Sequence, residues 1–179
     1  MKKTLNNILS TSLYFLMVLV VVFAVVTFIG QRIEVVGSSM YPTFEDKDNL
    51  LVDKFSYRFH DPERFDIVIF PYRYEPNNKY IKRIIGLPGE TVYIDDKGTI
   101  YINGEVLEEN YGYEVIKDPG RAYEPITLGE DEYFLLGDNR NNSMDSRDPN
   151  VGNLTFDELI GKAFMRVYPL KKMGMIKHQ

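Results

Sequence analysis

One long apolar stretch interrupts an otherwise mixed pattern of hydrophobic and polar positions. Leu13 to Ile29 reads LYFLMVLVVVFAVVTFI and shows no polar stripe at helical spacing. With its neighbours the stretch reaches about 20 residues, the length at which a helix crosses a bilayer core of about 30 Å. The pattern therefore predicts a transmembrane anchor over residues 11–30, behind a short N-terminus formed by residues 1–10.

A buried core helix and a cleaved secretory signal both fit this stretch less well than an anchor does. The core helix would carry a polar stripe, and the cleaved signal would have a shorter apolar region that ends in small residues of the A-x-A type. The stretch ends instead in Thr27-Phe28-Ile29-Gly30. Because Lys2 and Lys3 precede it, the positive-inside tendency predicts a cytoplasmic N-terminus and an exported body, residues 31–179.

The body shows the pattern of a mainly β domain. Short segments rich in Val, Ile, Tyr and Phe alternate with turn residues, which favours antiparallel strands. The predicted strands are Asn49–Phe55, Phe65–Phe70, Lys79–Ile85, Thr91–Ile94, Thr99–Ile102, Glu132–Leu136 and Lys162–Tyr168. We expect an antiparallel β-sheet or barrel-like domain behind one N-terminal transmembrane helix.

Local signals mark the turns and one short helix. Asp95-Asp96-Lys97-Gly98 and Asn103-Gly104 are typical of hairpin turns, since Gly and Asn tolerate positive φ. Thr155-Phe156-Asp157-Glu158 fits a capping box, and Gly161 suits the left-handed stop of a helix. The segment Glu105–Gly129 is the least regular and is expected to be an extension of the domain.

Composition removes several kinds of chemistry. The chain has no Cys and only two His, His60 and His178, which excludes thiol nucleophiles, disulfides, zinc–thiolate sites and His-rich metal centres. The formal net charge is −5, and because Lys2 and Lys3 are the only charges before Arg32, the body is more acidic still. This acidity argues against a nucleic-acid partner bound through a general basic field.

Three segments of the body carry residue types that pack poorly and suit catalysis. In the first, Gly37-Ser38-Ser39-Met40-Tyr41-Pro42-Thr43, a strand-like stretch runs into Gly37, which permits a sharp turn that would expose a hydroxyl nucleophile. Taken alone, this segment fits an ordinary turn with Ser and Pro better than it fits a nucleophile site.

The second segment is Tyr80-Ile81-Lys82-Arg83-Ile84-Ile85-Gly86-Leu87-Pro88-Gly89-Glu90. On a strand, Lys82 and Arg83 point to opposite faces, each between apolar neighbours. Apolar surroundings disfavour a charged amine, so the pKa of Lys82 is expected to fall toward the working pH, where the amine could accept a proton. The alternative is a Lys and an Arg that snorkel from a strand edge.

The third segment runs from Gly137 to Arg147, reads GDNRNNSMDSR and is almost entirely polar. A shell of side chains that orients the groups of another site would use such residues. A solvated loop of Asx turns is the alternative.

Elimination narrows the chemistry that a serine in the first segment could perform. A Ser-His-Asp triad would need His60, which lies in a turn-like sequence, or His178, which lies one residue from the C-terminus. There is no G-x-S-x-G motif and no S-x-x-K motif at Ser38 or Ser39. A Ser-Lys pair, a variant of the triad, is what remains.

Together, the three segments resemble bacterial type I signal peptidase, the membrane-anchored leader peptidase, in its Gram-positive single-span form. They occur in the family's order and spacing behind an N-terminal anchor, and Gly161-Lys162-Ala163 resembles the family's closing strand. The resemblance implies a serine endopeptidase without a cofactor. Such an enzyme would remove signal peptides from exported preproteins after small residues at −1 and −3.

The resemblance also implies a role for each matching residue. Ser39 would be the nucleophile and Lys82 the general base, with Ser143 hydrogen-bonded to the Lys82 amine. Two ion pairs would brace the polar segment against the lysine strand: Asp145 with Arg147, and Asp138 with Arg83.

The oxyanion hole is where the sequence departs from some members of the family. The Ser39 N–H would supply one donor, whereas the serine that these members carry two residues before the nucleophile is replaced by Gly37. A backbone amide, a water or Ser38 could be the second donor.

An extended substrate is expected to add as a strand beside the residues that flank Ser39 and Lys82. The predicted substrate-binding residues are Ile33, Val35, Val36, Gly37, Ser38, Tyr80 and Ile81. The expected partners are secreted preproteins, the lipid bilayer and the export machinery. For Met40, Tyr41 and Phe44, contact with lipid and packing in the core both fit the sequence.

Two further classes of function stay open on the sequence alone. One is a non-enzymatic surface domain on a single anchor, with the polar segment as an adhesion or sensing site. The other is a self-cleaving Ser-Lys regulator of the repressor type. That regulator would need a DNA-binding domain and a cytoplasmic body, whereas the sequence predicts an anchor and an acidic body.

Overall fold

The computed structural model describes the backbone of residues 2–28 and 31–176 and the side chains of residues 7–22 and 31–176. Helix α1 is Lys2–Phe28. The strands are β1 (Gln31–Glu34), β2 (Asn49–Asp53), β3 (Ile67–Tyr72), β4 (Glu75–Gly86), β5 (Thr91–Ile94), β6 (Ile100–Ile102), β7 (Glu105–Val106), β8 (Ile126–Thr127), β9 (Glu132–Leu136), β10 (Leu154–Thr155), β11 (Gly161–Tyr168) and β12 (Gly174–Met175). The 3₁₀ turns are Ser56–Arg58, Gly120–Tyr123, Phe156–Glu158 and Leu170–Lys172.

The N-terminal helix leaves its side chains exposed wherever they are described, from residue 7 to residue 22. In the part of the chain that was described, no helix combines the length and the apolarity needed to cross a membrane. The predicted anchor, residues 11–30, extends over positions 23–30, whose side chains lie outside the described residues. The anchor therefore stays a prediction.

The larger of two sheets contains most of the strands. Its order is β1-β2-β11-β3-β4-β9-β10, with β12 paired to β11, and all pairs are antiparallel. The mainly antiparallel β fold that we expected is confirmed. Over the described residues the order ends at β1 and at β10, so the barrel-like alternative receives no support.

The smaller sheet has the order β7-β6-β5-β8 and grows from the β5–β6 hairpin. Both predicted turns are present, and the second has positive φ at Asn103 (54°) and Gly104 (86°). The segment Glu105–Gly129, expected to be an irregular extension, supplies the two outer strands of this sheet and the 3₁₀ turn Gly120–Tyr123.

The predicted short helix near the C-terminus is correct in its start and wrong in its end. Thr155 and Glu158 form the capping box, but the helix is a single 3₁₀ turn, Phe156–Glu158. Gly161 is not a left-handed stop, because it is the first residue of β11. It packs so tightly against β2 there that a Cβ atom would lie 2.4 Å from the Asp53 carbonyl oxygen.

A buried apolar cluster lies beneath the loop that follows β1. Met40 and Phe44 are each 1 % exposed and pack there with Leu50, Ile69 and Ile81. Burial of a side chain of this size stabilises the fold by about 1.5–3 kcal/mol. Packing in the core, rather than contact with lipid, is therefore the correct alternative for Met40 and Phe44.

Candidate active site

Ser39 lies in the loop between β1 and β2, just after a sharp reversal of the chain. The reversal occurs at Gly37, which has a φ of +86° and donates its N–H to Asp46 Oδ1 at 2.8 Å. Backbone hydrogen bonds of 2.8 Å between Val35 and the stretch 47–48 close the loop. With Met40 sunk into the core, the turn holds the half-buried Ser39 in a fixed place.

Lys82 meets this serine from the middle of β4. Its side chain is 3 % exposed, and its Nζ lies 2.9 Å from Ser39 Oγ and 3.0 Å from the Ile81 carbonyl oxygen. Burial lowers the pKa of Lys82 from its usual 10.5 to about 8, although Asp145 and Asp138 act in the opposite direction. At pH 7 a fraction of about one tenth of the amine is thus neutral and able to accept a proton.

The adjacent residue of β4, Arg83, points to the other face and binds Asp138. The two groups are 1 % and 0 % exposed and form two hydrogen bonds, Nε–Oδ1 at 2.9 Å and Nη2–Oδ2 at 2.7 Å. Thr43 Oγ1 donates to Asp138 Oδ2 at 2.5 Å. The predicted ion pair is present, and Thr43, to which the sequence assigned no role, ties the nucleophile loop to it.

The second predicted ion pair, Asp145 with Arg147, is also present. Arg147 Nε and Nη2 donate to Asp145 Oδ1 and Oδ2 at 2.8 and 2.9 Å. Asp145 Oδ2 also accepts the Gly137 N–H at 3.1 Å. The pair therefore closes the polar loop, residues 137–147, on itself.

Two asparagines fasten the polar loop to the nucleophile turn. The Asn139 N–H donates to the Ser39 carbonyl at 3.0 Å, and Asn139 Nδ2 donates to the Ser38 carbonyl at 3.1 Å. Asn142 Nδ2 donates to Ser38 Oγ at 2.9 Å. The sequence predicted an orienting role for this loop but not these contacts, because no spacing rule joins residues about a hundred positions apart.

Ser143 does not make the predicted hydrogen bond to Lys82. Its Oγ is buried and has no hydrogen-bond partner among the described residues. It packs so closely on Gly137 that a Cβ atom there would lie 2.2 Å from it. Because the Lys82 amine is already directed at Ser39 Oγ and the Ile81 carbonyl, the orienting role of Ser143 lacks a contact in this conformation.

The extension Glu105–Gly129 supports the polar loop from behind. The Tyr113 N–H donates to the Asp138 carbonyl at 2.8 Å, and the Lys117 N–H donates to Asn141 Oδ1 at 2.9 Å. Arg140 Nη1 pairs with Glu109 Oε1 at 2.8 Å. These bonds hold the polar loop against the extension, a contact that the irregular sequence of the extension did not predict.

A cleft of about 170 Å³ opens beside Ser39 and Lys82. It is lined by Ile33, Glu34, Val35, Val36, Ser39, Ile69, Lys79, Tyr80, Ile81, Lys82 and Met144. Five of the seven predicted substrate-binding residues are among these. Gly37 and Ser38 are not, because Gly37 turns the chain away and the Ser38 hydroxyl is held by Asn142.

The backbone around the cleft leaves hydrogen-bonding groups available. Pairing between β4 and β9 begins at Arg83, opposite Leu136, so the stretch Tyr80–Lys82 has an open edge on that side. The Ser39 N–H donates no hydrogen bond to any described residue. The Ser38 hydroxyl accepts a bond from Asn142 and keeps its own hydrogen free to donate.

Within residues 7–22 and 31–176, His, Asp and Glu form no group of three or more that could hold a metal ion.

Comparisons with known proteins show which family the chain belongs to. The family described as "Signal peptidase, peptidase S26" matches residues 8–168. A probable signal peptidase I-2 of Synechocystis sp. is 40 % identical over 155 residues, covering 84 % of this chain and 68 % of the relative. Signal peptidase I P of Bacillus subtilis subsp. natto is 34 % identical over 183 residues, covering 98 % and 97 % of the two chains.

Among solved structures, a signal peptidase I from Enterococcus faecalis is 36 % identical and has a TM-score of 0.47, over 57 % of this chain and 97 % of that one. The family match spans nearly the whole chain and every segment of the site. The chain therefore belongs to the signal peptidase family, peptidase S26, and is a serine endopeptidase of that family.

Proposed function

We propose that this protein removes signal peptides from exported preproteins, with Ser39 as the nucleophile and Lys82 as the general base. One observation carries the assignment of the two roles: a serine at the edge of a cleft lies 2.9 Å from a buried amine whose pKa is lowered to about 8. A lysine is a competent base only when part of it is neutral at the working pH, and burial provides that condition here.

The reaction follows the logic of a Ser-Lys pair. Neutral Lys82 accepts the Ser39 proton while Oγ attacks the carbonyl carbon of the residue at −1. The resulting ammonium then donates that proton to the leaving amide nitrogen, the C–N bond breaks, and an acyl-enzyme remains. Water attacks the ester with Lys82 again as base, which releases the signal peptide and restores Ser39.

The negative oxygen of the tetrahedral intermediate needs donors that are already in place. The Ser39 N–H is free to be one of them, since it donates to no described residue. The Ser38 hydroxyl is our candidate for the second, because Asn142 binds its oxygen and leaves its hydrogen to point elsewhere. Gly37 carries no side chain that could take this part.

The shape of the cleft supports a preference for small substrate side chains. Its volume of about 170 Å³ is below the 300–1,000 Å³ that is usual for ligand pockets. β1 and β4 line it and run in the same direction, because three antiparallel neighbours in order, β2, β11 and β3, separate them in the sheet. An extended peptide can add to the open edge of β4, with alternate side chains directed into the cleft.

The setting that we propose is the outer face of the cell membrane. Proteins of this family are membrane-associated, and the exposed apolar side chains of α1 suit contact with a bilayer. Residues 11–30 would form one span with the N-terminus in the cytoplasm, as the placement of Lys2 and Lys3 predicts. The bilayer would be one partner, and the machinery that delivers preproteins would be another.

Incubation of the full chain in detergent with a secretory preprotein tests this function. We expect two products, and the masses should place the cut after a small residue with another small residue two positions before it. A non-enzymatic surface domain would leave the preprotein intact. A cut at unrelated positions would refute the substrate assignment.

A further inference from the structure

Met144 belongs to the polar loop and lines the substrate cleft. Its side chain is 44 % exposed, and its sulfur accepts a hydrogen bond from the Tyr80 hydroxyl at 3.5 Å. Tyr80 belongs to β4 and also lines the cleft, so this contact joins the loop to the strand at the cleft. Met144 takes no part in the chemistry of the Ser39–Lys82 pair.

The backbone that carries Met144 is held firmly on both sides. The preceding residue, Ser143, has its Oγ buried against Gly137. The following residue, Asp145, is 1 % exposed and binds both the Gly137 N–H and Arg147. The Met144 side chain has rotatable bonds and only a weak sulfur acceptor, so it can change its conformation while the backbone on both sides stays fixed.

Tyr80 is the fixed neighbour of this adjustable side chain in the wall of the cleft. Its ring stacks on Tyr72 at 4.9 Å with 7° between the ring planes, and it contacts the ring of Phe70 at 5.9 Å. The Lys82 amine lies 5.2 Å from the Tyr80 ring. With its ring held from two sides, Tyr80 cannot yield to a large substrate side chain, whereas Met144 can.

The spacing along β4 relates this pair to the substrate. Tyr80 and Lys82 are two residues apart on one face of the strand, a distance of about 7 Å. Alternate side chains of an extended substrate have the same spacing, so a substrate side chain next to the Ser39–Lys82 pair has its next same-face neighbour level with Tyr80. A substrate that runs in the same direction as β4 places its −1 and −3 side chains along the wall that Tyr80 and Met144 form, since Tyr80 precedes Lys82 on this strand.

We propose that Met144 is a specificity-determining residue, which together with Tyr80 sets the upper size limit for the substrate side chains at −1 and −3. The proposal rests on the proposed function and adds a residue that enforces the preference for small substrate side chains. The weak sulfur contact with Tyr80 holds the Met144 side chain at the cleft, and a bulky substrate side chain has to displace Met144 in order to bind. The Ser39–Lys82 pair is left untouched.

The test compares wild type with Met144→Ala on peptides that carry Ala, Val or Leu at −1, at −3 or at +1. In the −1 and −3 series, the ratio of kcat/KM for Leu to that for Ala should rise by about tenfold or more in the variant, the range that one or two methylene groups command in a pocket. In the +1 series the ratio should not change. Tyr80→Phe, which removes only the hydroxyl, should shift the ratio less but in the same direction.

Met173→Ala is the matched control, because Met173 is 55 % exposed and does not line the cleft. Its ratios should equal those of wild type. An unchanged ratio for Met144→Ala in both leader-side series, or an equal rise in the +1 series, would overturn the proposal.

Binding to an inactive background separates this proposal from the proposed function. In Ser39→Ala protein, adding Met144→Ala should tighten binding of the Leu-containing peptides relative to the Ala-containing ones, as measured by fluorescence anisotropy of labelled peptides. Failure of wild type to cleave any peptide would refute the function, whereas equal relative affinities in the two backgrounds would refute the role of Met144.

Discussion

Replacing Lys82 with Met should stabilise the folded protein while removing its activity. The amine is 3 % exposed and has no carboxylate within ion-pair distance among the described residues, since Ser39 Oγ and the Ile81 carbonyl are its hydrogen-bond partners. Methionine has a similar length and needs no hydration, so it should fill the same space without the cost of a buried charge.

The magnitude follows from the pKa. Burial lowers the pKa of Lys82 from 10.5 to about 8, and each pH unit corresponds to about 1.36 kcal/mol. When Lys82 is protonated in both the folded and the unfolded protein, burial of its charge therefore lowers the free energy of unfolding by about 3 kcal/mol. Since the unfolded state keeps its proton up to its higher pKa, this loss is complete below pH 8, shrinks between pH 8 and 10.5, and is absent above that window.

Urea unfolding followed by far-UV circular dichroism, in detergent and at several pH values, measures this difference. Lys82→Met should exceed wild type in the free energy of unfolding by about 3 kcal/mol at pH 6.5, and the gap should close as the pH approaches 10.5. Lys97→Met, at an exposed hairpin turn, should show no such gap. A Lys82→Met protein that is no more stable at pH 6.5, or a gap that does not depend on pH, would show that burial of the Lys82 charge does not destabilise the fold.

Three further predictions concern the same site. The value of kcat/KM for a signal-peptide substrate should fall about tenfold per pH unit below pH 8 as Lys82 takes up its proton, and a flat profile from pH 5 to 9 would contradict this. Asp138→Ala should destabilise the fold by about 3–5 kcal/mol in urea titrations because Arg83 is left buried and unpaired; a loss below about 1 kcal/mol would count against the ion pair. Gly137→Ala should lower kcat/KM at least about tenfold, since the new Cβ would lie 2.5 Å from the Ser39 carbonyl oxygen and push the nucleophile turn away. Gly174→Ala, where nothing lies within 4 Å, should not lower it, and equal activity of the two variants would contradict the packing argument.

The strands could be predicted from the sequence because their signal is local. Enrichment in Val, Ile, Tyr and Phe between turn residues identified the core of β2, β3, β4 and β11, and Asn103-Gly104 marked a hairpin by its tolerance of positive φ. Gly161 was misread for the same reason: a glycine after a capping box suggests a helix stop, whereas the true cause is its close contact with Asp53 on another strand.

The active site could be predicted only in part. Apolar neighbours on β4 predicted a lowered pKa for Lys82, and the structure agrees. Its partnership with Ser39 came from elimination and from resemblance, since 43 positions separate the two residues and no periodicity relates them. Met144 was passed over because a single methionine in a polar loop has no signal of its own until the loop is folded across the cleft.

The contact between the extension and the polar loop could not be predicted from the sequence either. Tyr113 and Lys117 bind the loop through backbone N–H groups, which every residue but proline possesses. The residue types at these positions therefore do not indicate the contact. Asn139 and Asn142 likewise read as ordinary loop residues until they meet Ser38.

We infer that Ser39 and Lys82 together cleave signal peptides, and initial rates of preprotein cleavage by matched variants test this claim. Ser39→Ala and Lys82→Ala should each reduce the rate by at least about a thousandfold, because the two residues act as one unit. Ser56→Ala and Lys97→Ala, which lie outside the cleft, should cleave at the wild-type rate. Cleavage at the wild-type rate by folded Ser39→Ala or Lys82→Ala protein would contradict the claim.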